Sequence, residues 1–254
     1  MTKRKIIDTL INTGKYETFI NRIRQLALKK SSSYVCVSNV HMVVEAHNDE
    51  SFKKVVNCAD MVTPDGMPLA KAMKLLYRIE QDRVAGMDLM PDLLKISEEK
   101  DLSIFMYGST DETLGQVITN ARAEFPSLRL YSYSPPFRAL SDAEKENVVQ
   151  MINAANPHFV FVALGCPKQE KWMAEHKGKI HSCMIGLGGA LEVYAGIKKR
   201  APMWMQKASL EWLYRLAQDP KRLWKRYLIT NTLFILLLLI QIIRVRIFRY
   251  NAES

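Results

Sequence analysis

The chain has 254 residues, 48% of them hydrophobic, and carries a formal net charge of +10. That is enough apolar material for one large α/β domain, alone or with an appendage, and it excludes wholesale disorder. The four cysteines (Cys36, Cys58, Cys166, Cys183) form no C-x-x-C pair and no cluster with His at metal spacing, so four buried thiols in a reducing compartment are expected.

The N-terminal stretch Met1–Phe19 has no sustained apolar run, which argues against a secretory signal and for a protein that stays on the cytoplasmic side. Tyr34–Val37 (YVCV) reads as a buried strand closed by Ser38-Asn39. Asn39 then either caps the next helix or bonds a base or sugar hydroxyl. Asp60–Leu69 (DMVTPDGMPL) holds Asp65 on a bend stiffened by Pro64 and permitted by Gly66. A carboxylate so presented suits a general base, or it satisfies turn amides. Arg83 offers a planar fork to a phosphate, or pairs with Glu80 or Asp82. Asp88 is a second carboxylate, or the cap of a helix over Leu89–Ser97.

Ser103–Tyr107 is the next strand, before Gly108-Ser109-Thr110, and helical spacing follows over Asp111–Phe125. Leu128–Ser132 is a weaker strand. Asp142–Asn153 is a helix, with Ser141 and Glu144 in capping-box spacing. His158–Leu164 (HFVFVAL) is a strongly apolar strand opening onto Gly165-Cys166-Pro167-Lys168-Gln169-Glu170. There Lys168 suits leaving-group charge and Gln169 sugar or phosphate oxygens, or the run is a solvated helix start. Ser182–Ile185 is the last strand, before Gly186-Leu187-Gly188-Gly189. Small residues in these turns let backbone N–H groups approach a phosphate, although neither glycine run matches the dinucleotide fingerprint or the P-loop.

Strands alternating with helices predict an α/β, Rossmann-like, mostly parallel sheet with helices on both faces. Its ligands belong outside the carboxyl ends of the strands. The expected division is 1–196 for this domain and 197–254 for a C-terminal helical, membrane-binding appendage. Twelve Lys or Arg residues fall from Lys198 onward. Met203–Gln218 is aromatic and helical in pattern, Pro220–Tyr227 is basic, and Leu228–Ile243 is nearly all apolar with arginines beyond it. Tyr227–Ile243 spans only seventeen residues, roughly 25 Å as a helix against a hydrocarbon core of about 30 Å. Basic flanks on both sides favour a helix lying in the interface over one that spans. The aromatics near the cations (Trp204, Trp212, Tyr214, Trp224, Tyr227) suit a membrane interface better than nucleic acid.

Seven ordered blocks carry a family resemblance over nearly the whole length: Ser38–Ala46, Ala59–Leu69, Arg83–Met90, Tyr133–Phe137, Ala163–Trp172, Gly186–Gly196 and Arg200–Leu216. In these the chain resembles the WecG/TagA/CpsF family of glycosyltransferases. The resemblance implies inverting transfer from a UDP-sugar to an undecaprenyl-diphosphate-linked sugar, in cell-surface polysaccharide or teichoic acid synthesis, at the cytoplasmic face of a bacterial membrane. It implies Asp65 as general base and Arg83 near the acceptor diphosphate. Asn39, Gly108, Ser109, Gly165, Lys168, Gln169, Gly188, Gly189 and Glu192 would line the donor site, with Pro136 and Phe137 over the base. Arg215, Arg222 and Lys225 on the basic helices suit the lipid diphosphate or anionic lipid. Many members carry Phe-Asp where this chain has Leu191-Glu192. The chain has no D-x-D metal clamp, so catalysis without a cofactor or divalent metal is expected, with side-chain cations and backbone amides meeting leaving-group charge. No nucleic-acid partner is expected, and a homo-oligomer is left open. The alternative is a basic nucleotide- or nucleic-acid-binding protein without turnover, which leaves Asp65 and Lys168 without a role.

Overall fold

The computed structural model describes residues 1–253, with the side chains of residues 222 and 248–253 outside the described set. It opens on a hairpin that the sequence reading missed. β1 (Lys3–Ile6) and β2 (Thr9–Asn12) pair antiparallel around a turn where Ile7 has a φ of 57°. α1 (Tyr16–Leu28), β3 (Ser33–Ser38), α2 (Val40–Asn48), α3 (Glu50–Asn57), β4 (Met61–Pro64), α4 (Met67–Tyr77) and α5 (Gly86–Glu99) follow. Next come β5 (Ser103–Gly108), α6 (Asp111–Glu124), β6 (Arg129–Tyr133), α7 (Asp142–Ala155), β7 (Phe159–Ala163), α8 (Lys168–Glu175), β8 (Cys183–Gly186) and the short α9 (Ala190–Tyr194).

Six strands form one sheet in the order β4-β3-β8-β7-β5-β6, every pair parallel. Continuous apolar runs are needed here because the sheet is covered on both faces. Val35, Val37, Ile104, Met106, Phe159 and Phe161 point into a core shared with α1, α5 and α6. Their neighbours Tyr34, Cys36, Phe105, Tyr107, Val160 and Val162 point into a second core shared with α2, α3, α4, α7 and α8. The period-2 alternation of strand side chains sorts them so. The expected capping box is present, with Ser141 and Glu144 each bonding the other's backbone N–H. All four cysteines are free thiols, but only Cys36 and Cys183 are buried as expected; Cys166 is half-buried, and Cys58, which ends α3 at the surface, is exposed.

Beyond α9 the expected Met203–Gln218 helix is two pieces, α10 (Met203–Lys207) and α11 (Glu211–Gln218), broken where Ser209 takes a φ of 67°. α12 (Pro220–Glu253) is then one unbroken helix. The seventeen-residue limit on its apolar part is therefore too short. Leu223–Ile247, 25 residues, is long and apolar enough to cross a membrane by length and composition.

The same helix also packs on the globule. Leu223, Thr230 and Phe234 are buried, and α12 lies along α2 and α4. Gln241, a polar residue in an apolar run, accepts from Ile7 N at 2.7 Å and donates to Lys5 O at 2.9 Å. One side of the helix is thus fixed to the globule as far as the hairpin. The other side exposes Leu228, Ile229, Leu236, Leu239, Ile243 and Ile247. Gln241→Ala should bare the Ile7 N–H, while Lys5 O keeps the Tyr77 hydroxyl at 2.6 Å. The expected loss is about 1–3 kcal/mol, seen as a lower denaturation midpoint at unchanged slope; an unmoved midpoint would show that the helix is held without it.

Candidate active site

Because all six strands are parallel, their carboxyl ends share one edge, and a cavity of about 1240 Å³ opens there. Its wall includes the turns after β3, β4, β5, β7 and β8, and its roof comes from α11 and α12.

Asp65 is set by its neighbours on both sides. Its N–H donates to Ser38 O at 2.7 Å, while Val84 N donates to Pro64 O at 2.9 Å and Thr63 Oγ1 to Val84 O at 3.1 Å. Gly66, at a φ of 94°, turns the chain into α4, a conformation that a side chain would strain. The Asp65 carboxyl lines the cavity and has no hydrogen-bond or ion-pair partner among the described residues. The turn-amide reading therefore finds no support. Burial raises its pKa to about 7; Glu211 and Asp88 add to the rise, and Arg215 and Arg83 oppose it.

Those four residues belong to one network. Arg83 donates to Asp88 Oδ2 at 2.7 Å, to Glu211 Oε2 at 3.0 Å and to Gln206 Oε1 at 2.9 Å. Arg200 pairs with Asp88 and donates to Gln206 Oε1 at 3.1 Å, and Arg215 donates to Glu211 Oε1 at 2.6 Å. Neither simple pairing foreseen for Arg83 occurs: Glu80 binds Lys74, and Asp82 takes Lys15 and Tyr16 N. Asp88 does not cap its helix either, since α5 begins at Gly86 with Ala85 as N-cap. Its carboxylate ties the first turn of α5 to the segment after residue 196. Arg200, Gln206 and Glu211 escaped the sequence reading. Their only signal was position within the Arg200–Leu216 block, where nothing local pairs them with residues more than a hundred positions earlier.

The glycine turns divide by role. Gly108, at φ 104°, brings β5 against β7, and an added Cβ would lie 2.6 Å from Ala163 O, a packing need. Ser109, Gly165, Gly188 and Gly189 line the cavity. Gln169 is buried, accepting from Gly165 N at 3.2 Å and donating to Glu170 Oε1 at 2.7 Å. A Cβ at Gly186 would meet its amide at 2.8 Å, so the glycine run makes room for Gln169. Asn39 does cap α2, accepting from Met42 N at 3.1 Å, yet it also lines the cavity, which leaves its amide N–H₂ for a ligand. Glu192 lines it too, paired with Lys198 at 2.5 Å. Phe137 stands 88% exposed at the rim. Pro136, Lys168 and Lys225 are not among the lining residues; Lys168 is exposed at the start of α8, as a solvated helix start would be. The Arg222 side chain lies outside the described residues. Arg226, one position past Lys225, lines the cavity and has no carboxylate partner among the described residues. No group of three His, Cys, Asp or Glu able to hold a metal ion occurs among them.

A free carboxyl group beside a guanidinium network, at the strand ends of a parallel α/β sheet, is an arrangement suited to an enzyme acting on a polar substrate. The chain belongs to the WecG/TagA/CpsF family of glycosyl transferases, which it matches over residues 4–247; it is a glycosyltransferase. It is 33% identical over 201 residues (79% of this chain, 77% of the relative) to an N-acetylglucosaminyldiphosphoundecaprenol N-acetyl-beta-D-mannosaminyltransferase of Bacillus subtilis (strain 168). Proteins of the same name from Bacillus spizizenii and Staphylococcus aureus (strain MW2) are 30% identical over 213 residues (83% and 81%) and 32% identical over 191 residues (75% and 74%).

Proposed function

We propose that this protein transfers a sugar, an N-acetylmannosamine type or another hexose, from a UDP-sugar to an undecaprenyl-diphosphate-linked sugar, with inversion. The carrying observation is the Asp65 carboxyl, without a partner among the described residues, held in a cavity where the Arg215 and Arg83 guanidinium groups act on it. The acceptor hydroxyl oxygen attacks the anomeric carbon as its proton passes to Asp65. The bond from that carbon to the diphosphate oxygen breaks, and UDP leaves with the electron pair. Asn39, Ser109, Gly165, Gln169, Gly188 and Gly189 form the donor side, with Phe137 over the base. Arg83, Arg215 and Arg226 face the diphosphates, so no divalent metal is required. The relatives' shared name supports the acceptor class.

The exposed apolar side of α12, with Trp204, Trp212 and Trp224 also exposed beside it, lies in the cytoplasmic leaflet in this reading, so that the helix is monotopic. A panel of UDP-sugars with a lipid-diphosphate acceptor, scored by product mass, tests the reaction. One UDP-sugar should yield a product heavier by one sugar, at a rate unchanged by chelator. Release of no UDP with any donor sinks the proposal, and loss of activity in chelator with recovery in magnesium sinks its metal-free form.

A further inference from the structure

The cavity does not stop at Asp65. It continues outward between two helices, walled by Pro68, Ala72 and Leu75 of α4 and by Asn231, Ile235 and Leu238 of α12. Each trio has the spacing of a single helix face. The helices run side by side in the same direction. Asp65 and Arg226 stand near their first turns, and beyond the cleft the Tyr77 hydroxyl and Gln241 Nε2 both bond Lys5 O, at 2.6 and 2.9 Å. Leu75 and Ile235 are 55% and 57% exposed, although their sequence neighbours Leu76 and Phe234 are buried in the core. Both line the cavity.

Polarity changes along this path. The inner end holds the Asp65 carboxyl; next stand the Arg226 guanidinium, free of any carboxylate partner among the described residues, and the Lys71 ammonium of α4; Leu75, Ile235 and Leu238 lie further along the two helices. From Arg226 to Leu238 is about 18 Å of helix. A molecule that fits this sequence has a hydroxyl, then an anion, then a branched hydrocarbon.

We propose that the cleft between α4 and α12 binds the first isoprene units of a polyprenyl diphosphate, with Arg226 on the diphosphate and Leu75, Ile235 and Leu238 on the hydrocarbon. This rests on the acceptor reading above and adds to it: the enzyme grips part of the lipid rather than only meeting a headgroup at the bilayer surface. Recognition then depends on tail length up to the depth of the cleft.

The test compares two acceptors carrying the same sugar diphosphate, one on a short water-soluble alkyl chain and one on a long polyprenyl chain in detergent micelles. Leu75→Trp and Ile235→Trp fill the cleft from exposed positions, and Leu75→Ser removes one wall without adding bulk. Each should lower kcat/KM for the polyprenyl acceptor by about tenfold or more, leaving the short-chain acceptor, the donor KM and flotation with anionic vesicles as in the unaltered protein. Equal loss on both acceptors, no loss on either, or a parallel loss of flotation overturns the cleft assignment alone. Failure of the unaltered protein to turn over either acceptor removes the acceptor reading, and the cleft with it.

Discussion

Asp65→Asn should lower kcat by at least about a hundredfold, the usual contribution of a positioned general base, with the donor KM nearly unchanged. The amide keeps the size of the side chain, the bond from its own N–H to Ser38 O and the neighbouring bond from Val84 N to Pro64 O, so what is lost is the proton acceptor. In the unaltered enzyme the base must be ionised to act, and its pKa is raised to about 7. The rate should therefore climb with pH through about 7, and the asparagine variant should lose that limb. Stability moves the opposite way. A carboxyl whose folded pKa lies above its ordinary 3.8 stabilises the fold while protonated, and that contribution is lost as pH rises through about 7. Asp65→Asn should thus melt higher than the unaltered protein at pH 8, by at least about 2 °C, with a smaller gap at pH 5. A variant that is slow at every pH yet no more stable at pH 8 would mean that residue 65 supports the fold instead of donating its lone pair.

Much of this site was legible from local chemistry. The bend Pro64-Asp65-Gly66 and the apolar runs before Gly108, Gly165 and Gly186 state their own geometry, because strand ends and glycine turns are local events. Asn39 shows the limit: capping and ligand-facing roles coexist in one amide, and the sequence had offered them as alternatives. The pairing of Arg83 was not legible, since its partners Gln206 and Glu211 lie at the far end of the chain. The same holds for the hairpin, whose four-residue strands are shorter than any reliable period, and for Gln241, whose purpose appears only when the Ile7 turn lies beside it. Lys168 looked functional because a cation at a helix start is unusual, yet the helix turns it outward.

Arg83→Ala should shift the acid limb of the pH–rate profile to higher pH, because Arg83 opposes the rise in the Asp65 pKa. Glu211→Gln should shift it lower, because Glu211 adds to that rise. Arg83 is 14% exposed and bridges two carboxylates, so its removal should also cost about 3 kcal/mol of stability. Arg83→Lys, which can meet only one carboxylate at a time, should fall between. Opposite movements of one limb separate an electrostatic role from simple loss of packing, which would lower the rate in both variants without moving it. The network has a further consequence. Without substrate, Arg83, Arg200 and Arg215 are all held by Asp88 or Glu211, so an incoming diphosphate competes with those carboxylates for the same donors. Glu211→Gln would then raise affinity for UDP while leaving the base in place. Should the two variants shift the limb the same way, the arginine–carboxylate network is a clamp on the fold and not the device that tunes Asp65.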